Sequence, residues 1–191
     1  MRKMMTKSTV MGISLFLLFV VGCCYPVRYD GPYKGKVIDA DTGKPIEGVV
    51  VLGVWYKEIA TAAGGVSSYY DADETVTNKE GEFEIKCKGL RILTNIGPMN
   101  VLIVKASYEY VGMYPWETLK VDPRNITWEG EKAIIPLRKL MMEERKKRSG
   151  PPDPPSEASL NKVILLLKEI DKDDRERGLK TRGIWKGEKY E

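Results

Sequence analysis

From Tyr33 to about residue 138, apolar side chains recur at every second position in short runs, and turn-forming residues break the runs. A period of two puts successive side chains on opposite faces of an extended chain, so this stretch is committed to sheet rather than helix. Tyr33–Ala40 reads as a first strand with Tyr33, Gly35 and Val37 on one face. Asp41-Thr42-Gly43-Lys44-Pro45 turns the chain, Gly43 supplying a left-handed φ and Pro45 a fixed one. Val49–Tyr56 is apolar on both faces near its start, as a central strand should be. Glu74–Thr77, the turn Asn78-Lys79-Glu80-Gly81 and Glu82–Cys87 read as a hairpin, with Phe83, Ile85 and Cys87 inward and Glu82, Glu84 and Lys86 in water. Asn100–Ala106 is another buried strand, Thr118–Val121 a short further one, and Lys132–Leu137 closes the unit. The pattern predicts a mainly β domain built as a sandwich of two sheets.

The N-terminus obeys a different rule. Met1–Lys7 is basic, Val10–Val21 is a nearly unbroken apolar run, and Val20-Val21-Gly22-Cys23 closes it. A run of this length can enter a translocon but is short of the roughly 20 residues that span a bilayer. The closing tetrapeptide resembles the lipobox of bacterial lipoproteins, aliphatic at −3, small at −1 and cysteine at +1. That resemblance implies a signal peptide over residues 1–22 and a diacylglyceryl group on the Cys23 sulfur, followed by cleavage and acylation with chains such as palmitate. Each buried CH₂ contributes about 0.8 kcal/mol, so two or more chains anchor stably. Cys24, rather than aspartate, after Cys23 points to the outer membrane, facing the periplasm. Residues 23–32 form the lipidated tether.

The order of turns and strands also resembles a known module. Gly35-Lys36-Val37-Ile38-Asp39, Thr42-Gly43-Lys44-Pro45-Ile46-Glu47-Gly48 and Glu74-Thr75-Val76-Thr77-Asn78-Lys79-Glu80-Gly81-Glu82-Phe83 are similar to the carboxypeptidase regulatory-like domain. Over residues 33–139 the resemblance implies a seven-stranded, Greek-key, transthyretin-like β-sandwich. Such domains accompany peptidases, receptors and surface proteins as non-catalytic modules. Ser107-Tyr108 stands where the family has Gly-Tyr.

Composition narrows the chemistry. The chain has no histidine, which removes the commonest general base and zinc ligand. Its three cysteines include the adjacent Cys23 and Cys24, so no thiol metal site is expected; a Cys24–Cys87 disulfide stays open. Arg2, Lys3 and Lys7 leave with the leader, reducing the net charge of +4 to +1, with no electrostatic footprint for nucleic acid. Asp39-Ala40-Asp41-Thr42-Gly43 begins like a calcium loop but lacks the later ligands and reads as a turn. Asp71, Asp73 and Glu74 read as a solvated strand entry, the alternative being a cation site or paired carboxylates. Asn125-Ile126-Thr127 is read as an accidental sequon. Tyr69, Tyr70, Tyr114, Trp116 and Trp128 lie in or near expected loops, where they either pack or contact a glycan.

Residues 140–156 are charged and then proline-rich, read as a stiff linker. A helix is expected over 157–178, capped by Ser156 and ended by Gly178, with Leu160, Val163, Ile164, Leu167 and Ile170 as its apolar stripe. The stripe either docks on the sandwich or binds a partner; residues 179–191 form a polar tail. The expected protein is a non-catalytic, lipid-anchored envelope protein with no metal and no cofactor beyond its covalent lipid. Its domain is expected to be structural or to bind an envelope protein; the alternative is a carbohydrate or cell-wall binding module.

Overall fold

The computed structural model describes residues 28–61, 64–86, 88–91 and 95–181. The leader, Cys23, Cys24, Cys87 and residues 182–191 lie outside them, and so does the open question of a Cys24–Cys87 disulfide. The protein is mainly β. The strands are β1 (Arg28–Asp30), β2 (Tyr33–Asp39), β3 (Val50–Thr61), β4 (Gly64–Val76), β5 (Glu82–Ile85), β6 (Gly89–Arg91), β7 (Asn100–Val104), β8 (Val111–Pro115), β9 (Thr127–Glu129) and β10 (Lys132–Leu137). Two helices follow, α1 (Met142–Lys147) and α2 (Ile164–Glu176).

Eight of the strands make two four-stranded sheets, ordered β5-β2-β10-β9 and β4-β3-β7-β8, while β1 and β6 pair as a small ribbon. In the first sheet β10 runs parallel to β2, with Lys132 beside Lys34 and Leu137 beside Asp39. Val37, Phe83, Ile85, Ala133, Ile135 and Leu137 from that sheet share one core with Val51, Trp55, Val101, Ile103 and Val111 from the other. The first sheet shows its second face to water, which is why β2 and β5 alternate cleanly. Gly35 belongs to the packing: a Cβ there would stand 2.4 Å from the Phe83 ring.

The second sheet is apolar on both sides. The outward residues Val50, Leu52, Val54, Leu102 and Val104 are covered by Val163, Leu166, Leu167 and Ile170 of the C-terminal segment. Val163, Leu167 and Ile170 of the expected stripe are buried, whereas Leu160 is exposed and Leu166 takes an inward place beside them. Residues 160–162 form a 3-10 turn, and the α-helix begins at Ile164 instead of just after Ser156. Its first-turn amides are capped from the sheet, Leu165 N and Leu166 N donating to the two Glu74 carboxylate oxygens at 2.9 and 3.0 Å. Gly178 ends α2 at φ +75°, with Leu179 N donating to Asp174 O.

Three local expectations are corrected. Strands β4 and β5 do not pair as a hairpin; they lie in different sheets. Thr77 holds to the second sheet through Thr77 N to Val49 O (3.0 Å) and its hydroxyl to Ile46 O (2.6 Å), whereas Val37 N takes Gly81 O (2.8 Å) in the first. A four-residue turn can therefore carry a chain across the core as well as back along itself. Thr118–Val121 is not a strand but part of a 3-10 turn, Trp116–Val121, which brings Trp116 and Leu119 inward three residues apart.

Finally, the charged run 140–148 is not a bare linker. It contains α1, and its buried Arg145 donates to Asp173 (2.7 Å) and Glu176 (2.7 Å) of α2, while Arg148 reaches Asp173 at 3.1 Å and Tyr108 O at 2.7 Å. This clasp also fixes Ser107, which adopts φ +72° where glycine would be at ease. Its N–H donates to Asp173 (3.1 Å) and its hydroxyl bonds Glu176 (3.0 Å).

Burial alone raises the Asp173 pKa, but the Ser107 amide and the Arg145 and Arg148 guanidiniums outweigh it and hold it below the ordinary value. Asp173 thus stabilises the fold fully above its unfolded pKa of 3.8, and the contribution is lost as pH falls through the depressed folded value. Asp173→Asn should flatten this part of the acid limb in urea unfolding measured from pH 2 to 7. At neutral pH, Arg145→Ala should cost about 1.5–3 kcal/mol, the range for hydrogen bonds to charged groups.

Candidate functional site

Of the carboxylates that sequence offered as a cation or acid–base site, Asp71 and Glu74 are engaged in holding the fold. Asp71 pairs with Lys162 and, at 2.8 Å, with Lys88, and Glu74 caps α2. Burial raises Asp71, but the two ammonium groups outweigh it and leave the carboxyl below its ordinary value; on Glu74 burial wins over the two amides and the carboxyl stays above it. The Asp39 loop is an Asx turn, its carboxylate accepting Asp41 N (3.1 Å), Thr42 N (2.9 Å) and the Thr42 hydroxyl (2.9 Å). No group of three or more metal-ligating side chains occurs among the described residues.

The five aromatic residues expected to meet a ligand do not form one platform. Trp116 is buried, edge-on to Tyr33, Phe83 and Trp128 with centroids 5.5, 6.2 and 5.7 Å away. Trp128 is half-buried under the Lys120 ammonium, 5.4 Å from its ring. These two line an open cleft of about 460 Å³ with Gly31, Pro32, Tyr33, Glu117, Glu131 and Lys120. Tyr114 is exposed on β8, and Tyr69 and Tyr70 sit on β4. Next to the cleft, buried Asp30 accepts the Tyr33 hydroxyl (2.5 Å) and the Trp55 indole N–H (2.9 Å). Burial first, and then Asp30, pushes the Tyr33 hydroxyl far above its usual pKa, so it stays a proton donor. Asp30 was not singled out from sequence, because a lone acid before Gly-Pro carries no signal of its indole partner 25 residues on.

A different element has the features of an interface. Strands β3 and β4 pair continuously from Val50–Val76 to Thr61–Gly64, with one irregularity at Trp55/Tyr56. Strand β7 accompanies β3 only as far as Val54. Beyond it, residues 95–97 brace the ribbon: Glu58 N donates to Asn95 O (2.8 Å), Gly97 N to Tyr56 O (2.8 Å) and the Asn95 amide to Glu58 O (2.6 Å). The ribbon then projects past its brace. Ile59 and Val66 are directly paired across it and are 45% and 53% exposed, and Tyr70 is 42% exposed. No residue from 59 to 70 is charged, although 30% of the chain is. Comparison with protein-family models, curated proteins and solved structures found no match to this chain.

Removing the Glu74 carboxylate should act on stability alone. Glu74→Ala leaves two helix amides without acceptors and should cost about 1–2 kcal/mol, as lost helix caps do, measurable as a lower urea midpoint. Ile59→Ser with Val66→Ser should move stability by no more than about 0.5 kcal/mol, since exposed side chains away from packing seldom do more.

Proposed function

We propose that this chain is a lipid-anchored, non-catalytic protein of the bacterial envelope, whose β-sandwich body presents an interaction surface. The observation that carries the reading is Val20-Val21-Gly22-Cys23 at the end of a basic-then-apolar leader. Only four residues lie between Cys23 and the first strand at Arg28, five residue steps in all. Even fully extended, at about 3.3–3.6 Å per residue, they reach about 18 Å, so the body stands close to the membrane that holds the lipid. The outer membrane, on its periplasmic side, is the location that Cys24 favours.

Two features support the module half of the reading. Two of the three carboxylates that sequence offered as a reactive cluster, Asp71 and Glu74, are tied into ion pairs and a helix cap. The β3–β4 ribbon carries exposed apolar side chains on an element braced from below, which suits a surface that meets a partner. A transthyretin-like, carboxypeptidase regulatory-like domain fits the order of turns and the pairing of facing sheets, and such a module brings no reaction of its own. The glycan-binding alternative retains one foothold, the cleft between Trp116, Trp128 and Lys120.

Cys23→Ser should move the chain from the membrane fraction to the soluble periplasmic extract and abolish labelling by radioactive palmitate. A variant that stays in the membrane with its leader uncleaved, beside a wild type in the same state, would overturn the anchoring. For the cleft, cell-wall oligosaccharides should leave tryptophan fluorescence unchanged; saturable quenching that disappears in Trp128→Ala would favour the glycan reading instead.

A further inference from the structure

We propose that the cleft beside Gly31 and Pro32 holds the zwitterionic headgroup of a phosphatidylethanolamine lipid in the anchoring membrane. Lys120 takes the phosphate, and Glu117 and Glu131 take the ammonium. This rests on the lipid-anchored reading, and it adds which side of the body meets the bilayer. The chain itself brings the cleft there. Gly31 and Pro32, directly after β1, form part of its wall. Eight residue steps separate Cys23 from Gly31, a reach of at most about 29 Å when fully extended. The volume of about 460 Å³ lies in the range of small-ligand sites.

The charges of the cleft are set out for a dipolar guest. Lys120, Glu117 and Glu131 all line it and all are exposed. Among the described residues none of the three forms an ion pair. Lys120 and Glu117 stand three apart on a 3-10 turn, a spacing at which side chains eclipse, and still they do not pair. The Lys120 ammonium lies instead over the Trp128 ring, 5.4 Å from its centroid. Beside it the buried Trp128 indole N–H has no acceptor in the chain.

A simple anion entering here would meet two carboxylates, and a simple cation would meet an ammonium. A neutral sugar would use neither charge. Ethanolamine phosphate carries both signs two carbons apart, so it answers both at once. Choline phosphate carries the same charges, but its ammonium has no N–H for a carboxylate to accept. Val121 marks the level of the bilayer. It follows Lys120 and is 83% exposed, the highest value among the described large apolar side chains. An apolar side chain next to a lysine suits the headgroup boundary, where stems lie against acyl chains and the ammonium reaches phosphate.

The test uses the purified full chain in detergent, titrated with single lipids in mixed micelles. Tryptophan fluorescence gives the lipid fraction at half-change. Phosphatidylethanolamine should reach it at a fraction about fivefold lower than phosphatidylcholine or phosphatidylglycerol, the upper end for an exposed ion pair. Lys120→Glu should raise that fraction about tenfold, as attraction to phosphate turns to repulsion. Glu117→Gln with Glu131→Gln should bring the ethanolamine lipid to the level of the choline lipid. Equal half-points for the three lipids, an unaffected Lys120→Glu, or a preference that survives the double variant would each overturn the proposal. So would a matching change with soluble glycerophosphoethanolamine, which would make the cleft a site for a free zwitterion. Palmitate labelling at Cys23 is scored separately, so a labelled chain without lipid preference would leave the anchored-module reading standing.

Discussion

Strands β3 and β7 are apolar on both faces, and both faces must be covered. Val51, Trp55, Val101 and Ile103 reach into the core shared with the first sheet, while Val50, Leu52, Val54, Leu102 and Val104 point the other way. Each such side chain left in water would forgo about 1.5–3 kcal/mol. A helix of α2's length is marginal by itself in water, so helix and sheet depend on each other. Their polar ties run in both directions. Glu74 on β4 takes the first amides of α2, and Glu169 and Asp173 on α2 take Ala106 N and Ser107 N beside β7. The Arg145 and Arg148 clasp then closes over the acids of α2, and it lets Ser107 occupy a backbone region that usually belongs to glycine.

The strands with one wet face were the most legible in the sequence. β2, β5 and β10 stand where alternation places them, and β3 reads as central because it does not alternate. What alternation could not carry was pairing. It says which side chains share a face, not which strand lies alongside, so β4–turn–β5 reads the same whether the strands pair or part. The parting depends on Thr77, whose hydroxyl and amide bond to Ile46 and Val49, some thirty residues earlier. The start of α2 failed for a related reason. Ser156 has the chemistry of a cap, but Glu74 lies where the first turn needs an acceptor, and a contact across 91 residues leaves no local trace.

The site was legible only in part. Sequence marked Tyr69 and Tyr70, yet as loop aromatics; they stand instead on a strand that runs 13 residues. The residues before them, Ala62-Ala63-Gly64-Gly65 and Ser67-Ser68, are small and polar and ordinarily signal a turn. Backbone pairing from β3 overrides that preference as far as Gly64. Trp116 and Trp128 were marked for the same reason, and they are mostly absorbed by an aromatic cluster with Tyr33 and Phe83. An aromatic count does not show whether the faces of the rings are free.

How the other sheet edges are finished bears on the ribbon. Strand β9 has three residues, β5 has four with Glu82 and Glu84 facing outward, and β8 stops at Pro115. Each of these is short, charged or interrupted, the usual protections against a passing strand. Strand β4 is long and splits in two at Asp71. Between Asp71 and Val76, Asp71 is held by Lys88 and Lys162, and Glu74 by the amides of α2. From Gly64 to Tyr70 the charges stop, and a glycine with open space above it takes their place. One strand thus changes character along its length, from carboxylates tied to neighbouring elements to an uncharged segment whose Val66 is 53% exposed.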